Sequence, residues 1–320
     1  FKIKCMNNYL GAIEIGGTKI QIVLADNEGK ILYHFRFHVR RALGAEGIWE
    51  QVWTILREWR RSHIPIAGIG IGFGGPVDTS SGRIICSHQI QGWEKIDLKE
   101  RILSQFGETL ICIENDANTA ALGEAVRGAG CGYENVFYVT LGSGVGGGAV
   151  QNGEIYHGAL PGEAEIGHLR LDKGGRTVES SCSGWAVDRK IQEFIKKYPQ
   201  SRLAKLAAEV ASEYAVLLKP AIEEGDADAC RILDETVDDI SFALSHVTHL
   251  FHPQVVVLGG GLSLMGELLS SRVRIRLPKY LMDSFHPGPT ILMGKLGEFV
   301  VPIGALELIK RKLAESGEVR

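Results

Sequence analysis

Three glycine clusters close apolar runs in this chain: EIGGTK at 14–19, GSGVGGG at 142–148 and LGGGLS at 258–263. Glycine admits positive φ and lets backbone N–H groups approach a ligand closely. Successive N–H groups in such a turn form a concave anion site. Thr18 and Ser143 add hydroxyl donors and Lys19 a positive charge, a set suited to phosphate. Gly-Gly after a strand is equally ordinary hairpin chemistry. Asn115-Asp116 sets an amide and a carboxylate where a strand gives way to a helix, a place where both residue types serve as N-caps. In EIGHLRLDKGGRTVESSCSG, residues 165–184, two readings compete. Either His168 and Cys182 are remnants of a metal site, or Glu165, His168 and Glu179 line a pocket. His246, His249 and His252 recur at intervals of three on one expected helix, without a carboxylate motif beside them. They are read as packing or solvent-facing.

The middle cluster also satisfies G-x-G-x-x-G through Gly142, Gly144 and Gly147. A dinucleotide site needs a helix directly afterwards, and here GAVQNGEIY alternates like a strand. G-x-x-x-x-G-K-[ST] does not occur, which excludes a P-loop enzyme.

The elements that must position these residues follow from periodicity. Residues 10–38 read as three short strands around the first glycine turn and a DNEGK turn. Residues 45–62 form an amphipathic helix, 66–73 (IAGIGIGF) a buried strand, 97–106 a helix and 109–114 a strand. Asn115-Asp116 opens the next helix. Strands over 136–142 and 146–156 flank the second cluster, and from 184 the pattern is mostly helical. A long helix over 228–251 stops at His252-Pro253, 255–261 (VVVLGGG) is a strand running into the third glycine turn, and 301–317 closes the chain as a helix. Strand, glycine turn and strand thus occur twice, near 16 and near 144, a faint internal duplication rather than a short-period solenoid.

With 320 residues, 45% hydrophobic, 23% charged and a formal net charge of −3, the chain gives no electrostatic reason to expect nucleic acid or an anionic membrane as partner. Six cysteines scattered without CxxC or CxC are neither a disulfide framework nor a zinc ribbon. They fit a reducing cytoplasm. No membrane-spanning run or signal peptide is read. Position 1 is not Met, so the native start is expected at Met6 or outside this sequence.

Taken in order, the motifs EIGGTK, GFGGPVD (72–78), ENDANTAALGEA (114–125), LGSGVGGGAVQNGEIYHGALPGEAEIGH (141–168) and LGGGLS resemble the ROK family of repressors, open reading frames and sugar kinases. The resemblance spans about 10 to 310. It implies an α/β protein with two lobes of actin/hexokinase-like, ribonuclease-H-like topology around a central cleft. The N-terminal lobe would comprise 1–115 with 304–320, and the C-terminal lobe 116–303. It further implies ATP-dependent phosphorylation of a hexose or hexosamine hydroxyl, with Asp116 as general base. Gly75, Asn115, Glu165, His168 and Glu179 would bind the sugar. Gly16, Gly17, Thr18 and Lys19 would hold the ATP phosphates, opposed by Ser143, Gly144 and Gly146, with Gly259, Gly260 and Gly261 bordering the adenosine.

Mg²⁺ would arrive with ATP. Glu14 stands where the family most often has Asp, within reach of the metal through water. Many members complete a zinc site on the histidine of E-x-G-H with cysteines of C-x-C-G-x-x-G-C-x-E. Here no cysteine lies between His168 and Glu179, and Cys182 falls beyond the matching glutamate. A structural zinc needs four ligands, so none is expected. The family's repressors carry an N-terminal helix-turn-helix, whereas about nine residues precede the first strand here. A DNA-binding module is therefore not expected in this chain. The alternative to a kinase is a non-catalytic sugar sensor of the same fold. Homodimerisation follows from the resemblance alone.

Overall fold

A computed structural model describes residues 8–87, 90–159, 164–208, 210 and 214–317. In chain order, the first half runs β1 (Tyr9–Ile15), β2 (Lys19–Ala25), β3 (Ile31–His38), α1 (Gly44–Arg61), β4 (Ile66–Phe73), the short pair β5 (Val77–Asp78) and β6 (Arg83–Ile84), α2 (Leu98–Phe106), β7 (Leu110–Asn115) and α3 (Asp116–Arg127). Then come β8 (Asn135–Leu141), β9 (Val145–Gln151), β10 (Glu154–Ile155), α4 (Val178–Cys182), α5 (Gly184–Lys197), α6 (Arg202–Ala207), α7 (Leu218–Glu223), α8 (Ala227–Phe251), β11 (Val255–Gly259), α9 (Glu267–Arg276), β12 (Thr290–Met293) and α10 (Val300–Ser316).

The duplication is visible in the sheets. One has the order β3-β2-β1-β4-β7 and the other β10-β9-β8-β11-β12. In each, the first strand pairs antiparallel with the second across a glycine turn and parallel with the strand that follows a helical connection. The alternating pattern read as one strand over 146–156 is instead a hairpin. Asn152 (φ 51°) and Gly153 (φ 80°) break it, the Asn-Gly chemistry of a tight turn whose two central residues take positive φ.

Contacts divide the chain into Phe1–Arg127 with Glu154–Glu163 and Glu298–Arg320, and Gly128–Gly153 with Ala164–Gly297. The sequence placed the division at 115/116 and 303/304. Helix α3 falls with the first unit because it crosses α10 at very short range: a Cβ on Gly304 would meet the Thr119 carbonyl oxygen at 1.8 Å, and one on Gly123 the Val300 carbonyl oxygen at 2.7 Å.

In the first unit the alternation of IAGIGIGF explains both faces of its sheet. Ile69 and Ile71 enter a core with Ile13, Ile22 and the α1 residues Ile48, Leu56 and Trp59. The intervening glycines seat α10 on the sheet, since a Cβ on Gly70 would lie 2.1 Å from the Ala305 carbonyl oxygen. In the second unit, Phe137, Val139, Val256 and Leu258 of the sheet share a core with α8 through Ile240, Leu244 and Val247. Helix α8 begins at Asp226, whose carboxylate accepts the Asp228 and Ala229 N–H groups, and ends at left-handed His252, φ 47°. Among the described residues no helix is long and apolar enough to cross a membrane.

Candidate active site

The predicted residues fall into two groups, one in each unit. The first gathers around the end of β1. Gly16 N–H donates to the Lys19 carbonyl (3.0 Å), closing the turn between β1 and β2. Among the described residues the Gly17 and Thr18 N–H groups donate to no protein acceptor, as an anion cradle requires. Gly74 N–H donates to the Ile15 carbonyl (2.9 Å), which ties the GFGGPVD turn to the same place. A Cβ on Gly74 would lie 3.3 Å from Asp116 Oδ2, and one on Gly75 2.7 Å from the Cys86 carbonyl oxygen. Glycine is what leaves room there for the carboxylate and for the close backbone.

The helix cap is Asn115, not Asp116. Asn115 Oδ1 accepts the N–H groups of Ala117 (2.8 Å) and Asn118 (3.1 Å), and its Nδ2 donates to the Gly75 carbonyl (3.2 Å). Asp116 is the first helical residue, so capping does not account for its carboxylate. Asn115 is correspondingly committed to the backbone, with one Nδ2 proton left for a ligand. Buried Glu114 stiffens this junction. Its Oε1 accepts from the Asn115 N–H and Asn118 Nδ2, and its Oε2 lies 2.7 Å from His157 Nε2.

Glu14 is buried at the end of β1. Its Oε1 pairs with Lys19 Nζ at 3.2 Å and its Oε2 accepts from Gln21 Nε2 at 2.6 Å. Burial raises its pKa above the usual carboxylate value, while Lys19 and Gln21 pull against that rise. Gln21 is oriented in turn by His34 (2.8 Å) and by the Glu298 carbonyl (2.7 Å). Lys19 also donates to that carbonyl at 3.3 Å. Arg41 bonds the Gly17 carbonyl through Nε and Nη2 at 3.1 and 3.0 Å. Gln21, His34, Arg41 and His157 were not anticipated. Each acts through a partner at least 7 residues away in sequence, and only His157 lies within one of the motifs, which carries no sign of its contact with Glu114.

The second group surrounds the β8–β9 turn. Gly142 N–H donates to the Gly144 carbonyl (3.0 Å), and Gly184 N–H at the start of α5 donates to the Gly142 carbonyl (2.7 Å). Glu179, in the first turn of α4, reaches the same turn: its Oε2 accepts the Val145 N–H at 3.0 Å. A Cβ on Gly144 would sit 2.5 Å from that oxygen. The glycines of β9 let residues 164–167 lie on the strand, for a Cβ on Gly147 would be 2.6 Å from the Ala164 carbonyl oxygen and one on Gly167 2.0 Å from that of Val145. Glu165 and His168, on either side of buried Ile166 and Gly167, are exposed. Gly259 and Gly260 are required by packing on β8, where a Cβ would meet Tyr138 Oη at 2.1 Å and the Leu141 backbone at 2.5 Å, whereas Gly261 faces open space.

Cys182 lies inside the second unit. Its thiol points to the Thr236 carbonyl at 3.8 Å, and burial pushes its pKa up to about 12. Its place in the core of the second unit, against α8, accounts for Cys182 as a packing residue. The three spaced histidines separate: His246 Nδ1 bonds the Phe242 carbonyl (2.9 Å), His249 Nε2 accepts the Met282 N–H (3.3 Å), and His252 stacks on Phe285 (4.4 Å).

Two α/β units on one repeated strand order, each with a glycine turn between its first antiparallel strands, define a mixed α/β protein of the hexokinase-like class. The ROK family matches residues 10–312, and the chain belongs to that family. It is similar to a glucokinase of Thermotoga maritima, 31% identical over 310 residues that cover 94% of this chain and 97% of the relative. The structure of a ROK family glucokinase from Streptomyces griseus, in complex with glucose and AMPPNP, matches with a TM-score of 0.82 at 28% identity, covering 95% of this chain and 100% of that one. A xylose repressor of Bacillus subtilis is 23% identical over 305 residues, covering 94% of this chain and 77% of the repressor.

Proposed function

We propose that this protein transfers the γ-phosphoryl group of ATP to a hydroxyl of a hexose, glucose foremost, with Asp116 as general base. The observation that carries this is the division of roles at the start of α3: Asn115 caps the helix, and Asp116 places its carboxylate over Gly74 beside the first glycine turn. The glucokinase relatives, one solved with glucose and an ATP analogue, support the substrate pair. Asp116 accepts the hydroxyl proton as the sugar oxygen bonds to the γ-phosphorus. The bond from that phosphorus to the β,γ-bridging oxygen breaks, and MgADP leaves. Phosphoryl transfer rests mainly on positioning and electrostatics. Gly16, Gly17, Thr18 and Lys19, with Ser143, Gly144 and Gly146, orient the phosphates, and Gly261 with Gly259 and Gly260 borders the adenosine. Gly75, Asn115, Glu165, His168 and Glu179 hold the sugar. Mg²⁺ enters as MgATP. Glu14, both of whose oxygens already have partners, would meet it only through water. The same reading includes a homodimer, which sedimentation of the purified protein checks.

An ADP-coupled assay over a hexose and hexosamine panel tests this: glucose should stimulate ADP formation, and no response to any sugar would overturn it. Asp116→Asn should lower turnover by about 10²–10⁴-fold and leave sugar binding intact. Undiminished turnover would remove Asp116 from the chemistry. Similarity to a xylose repressor favours a second reading, a sugar sensor without turnover. Calorimetric sugar binding without ADP formation is its signature.

A further inference from the structure

The stretch between His168 and Glu179, where many relatives carry zinc-binding cysteines, folds here as a small hairpin. Leu171 N–H donates to the Arg176 carbonyl (2.7 Å), Val178 N–H to the Leu169 carbonyl (3.0 Å), and Arg170 bridges Thr177. Arg176 joins the hairpin to the body of its unit. Its Nε donates to Asp172 Oδ2 at 3.1 Å across the hairpin. Its Nη1 donates to both oxygens of Asp239 on α8, at 3.2 and 2.9 Å. Helix α4 starts immediately after, with a reciprocal cap between Thr177 and Ser180. Its far end is anchored by buried Cys182 on the Thr236 carbonyl, again on α8. Between these two attachments stands Glu179, whose carboxylate holds the Val145 N–H.

We propose that the Arg176–Asp239 clamp replaces a zinc knuckle: it fixes the hairpin on α8 without metal and thereby sets Glu179 against the second glycine turn. Arg176 is a positioning residue, since it acts through Glu179. The kinetic part of this inference rests on the kinase reading, and the structural part does not. An Arg fork on carboxylates offers what a metal offers here, several directed bonds from one centre. Arg176 holds Asp172 below the usual carboxylate range, whereas burial raises Asp239 and Arg176 opposes that rise incompletely.

The test compares the wild-type protein with Arg176→Ala, Arg176→Lys, Asp239→Asn and the exchange Arg176→Asp/Asp239→Arg. Two measurements are made: amide exchange at Val145 and steady-state kinetics. The Val145 amide should exchange at least about tenfold faster in Arg176→Ala, a factor that corresponds to about 1.4 kcal/mol, with Arg176→Lys intermediate and the exchange variant partly restored. Glucose KM should rise about tenfold with kcat changed less than about threefold, the pattern of lost ground-state binding. Wild-type protein should bind less than a tenth of an equivalent of zinc and keep its Val145 protection in a chelator. Unchanged Val145 exchange in both Arg176→Ala and Asp239→Asn, or stoichiometric zinc whose removal releases Val145, would overturn the proposal. Wild-type protein that shows the exchange pattern but phosphorylates no sugar would leave the clamp standing and remove the kinase reading instead.

Discussion

The turn after β1 and the turn after β8 hold matching positions in two sheets of one strand order, yet their supports differ. The first is organised by charge within its own sheet, where Glu14 on β1 pairs with Lys19 and Gln21 on β2 and His34 on β3 steadies Gln21, with Arg41 and the Glu298 carbonyl added from outside. The second has no ion pair on its strands among the described residues. It is supported from outside the sheet, by Glu179 of α4 on Val145 and by the Gly184 N–H of α5 on Gly142. Repeated topology has kept the backbone shape while the polar support has diverged. A turn that needs only N–H groups pointing one way can be braced by whatever lies behind it.

This contrast predicts unequal responses to the same small change. In Gly144→Ala the new methyl would stand 2.5 Å from Glu179 Oε2, so the carboxylate or the turn must move. In Gly16→Ala the nearest atom is the Lys19 carbonyl oxygen at 3.3 Å, a contact that a shift of a few tenths of an ångström relieves. Gly144→Ala should lower kcat/KM by about 10²-fold, the scale of an ångström-sized misplacement. Gly16→Ala should stay within roughly threefold, as substitutions without a clash usually do. Steady-state assays with glucose and ATP decide. Equal losses in the two variants would mean that both turns depend on the same kind of support.

Much of this architecture was legible because its signals are local. The three glycine clusters, the helix over 228–251 with its stop at His252-Pro253, and the paired strand-turn-strand units all rest on neighbouring residues. The Asn152-Gly153 turn is equally local, but the alternation of β9 continues across it and hides it. What could not be read depends on contacts distant in sequence. Gly68, Gly70 and Gly72 spell a flat strand face, but only α10, more than 200 residues later, shows what occupies it. That Asn115 rather than Asp116 caps α3 depends on one step of helix phase. The Arg176–Asp239 pair spans 63 residues. The resemblance proposes Glu179 as a sugar-binding residue, but its bond to Val145 was not legible, because a backbone N–H leaves no trace in composition.

The packing of α10 supplies a second comparison, between glycines that face open space and glycines that make room for a helix. Gly304→Ala would push a methyl to 1.8 Å from the Thr119 carbonyl oxygen. Overpacking of this kind costs about 1–3 kcal/mol. Because Thr119 follows Asp116 by one helical turn, the strain falls on the helix that carries Asp116 as well. Urea unfolding should show the loss in Gly304→Ala and a change below about 0.5 kcal/mol in Gly261→Ala, whose Cβ meets nothing within 4 Å. Equal stabilities would contradict the close crossing of α3 and α10.

The smallest effect concerns the charge that distinguishes the first turn. Burial raises the pKa of Glu14 in the folded protein, with Lys19 and Gln21 opposing incompletely. A raised folded pKa means that, between the unfolded and folded values, the native state binds more protons than the unfolded one. The contribution of Glu14 is therefore fully present below the ordinary carboxylate value and is lost as pH rises through the folded pKa. Glu14→Gln does not titrate, so the wild-type protein should lose stability relative to this variant as pH climbs from about 4.5, with a slope of at most about 1.4 kcal/mol per pH unit for one proton. Other titrating groups are common to both proteins and cancel in the difference. Urea titrations of both at half-unit steps from pH 4.5 to 8 measure it. A wild-type advantage that grew with pH would show that Lys19 and Gln21 outweigh burial, and the first turn would then hold a favourable ion pair rather than a desolvated charge.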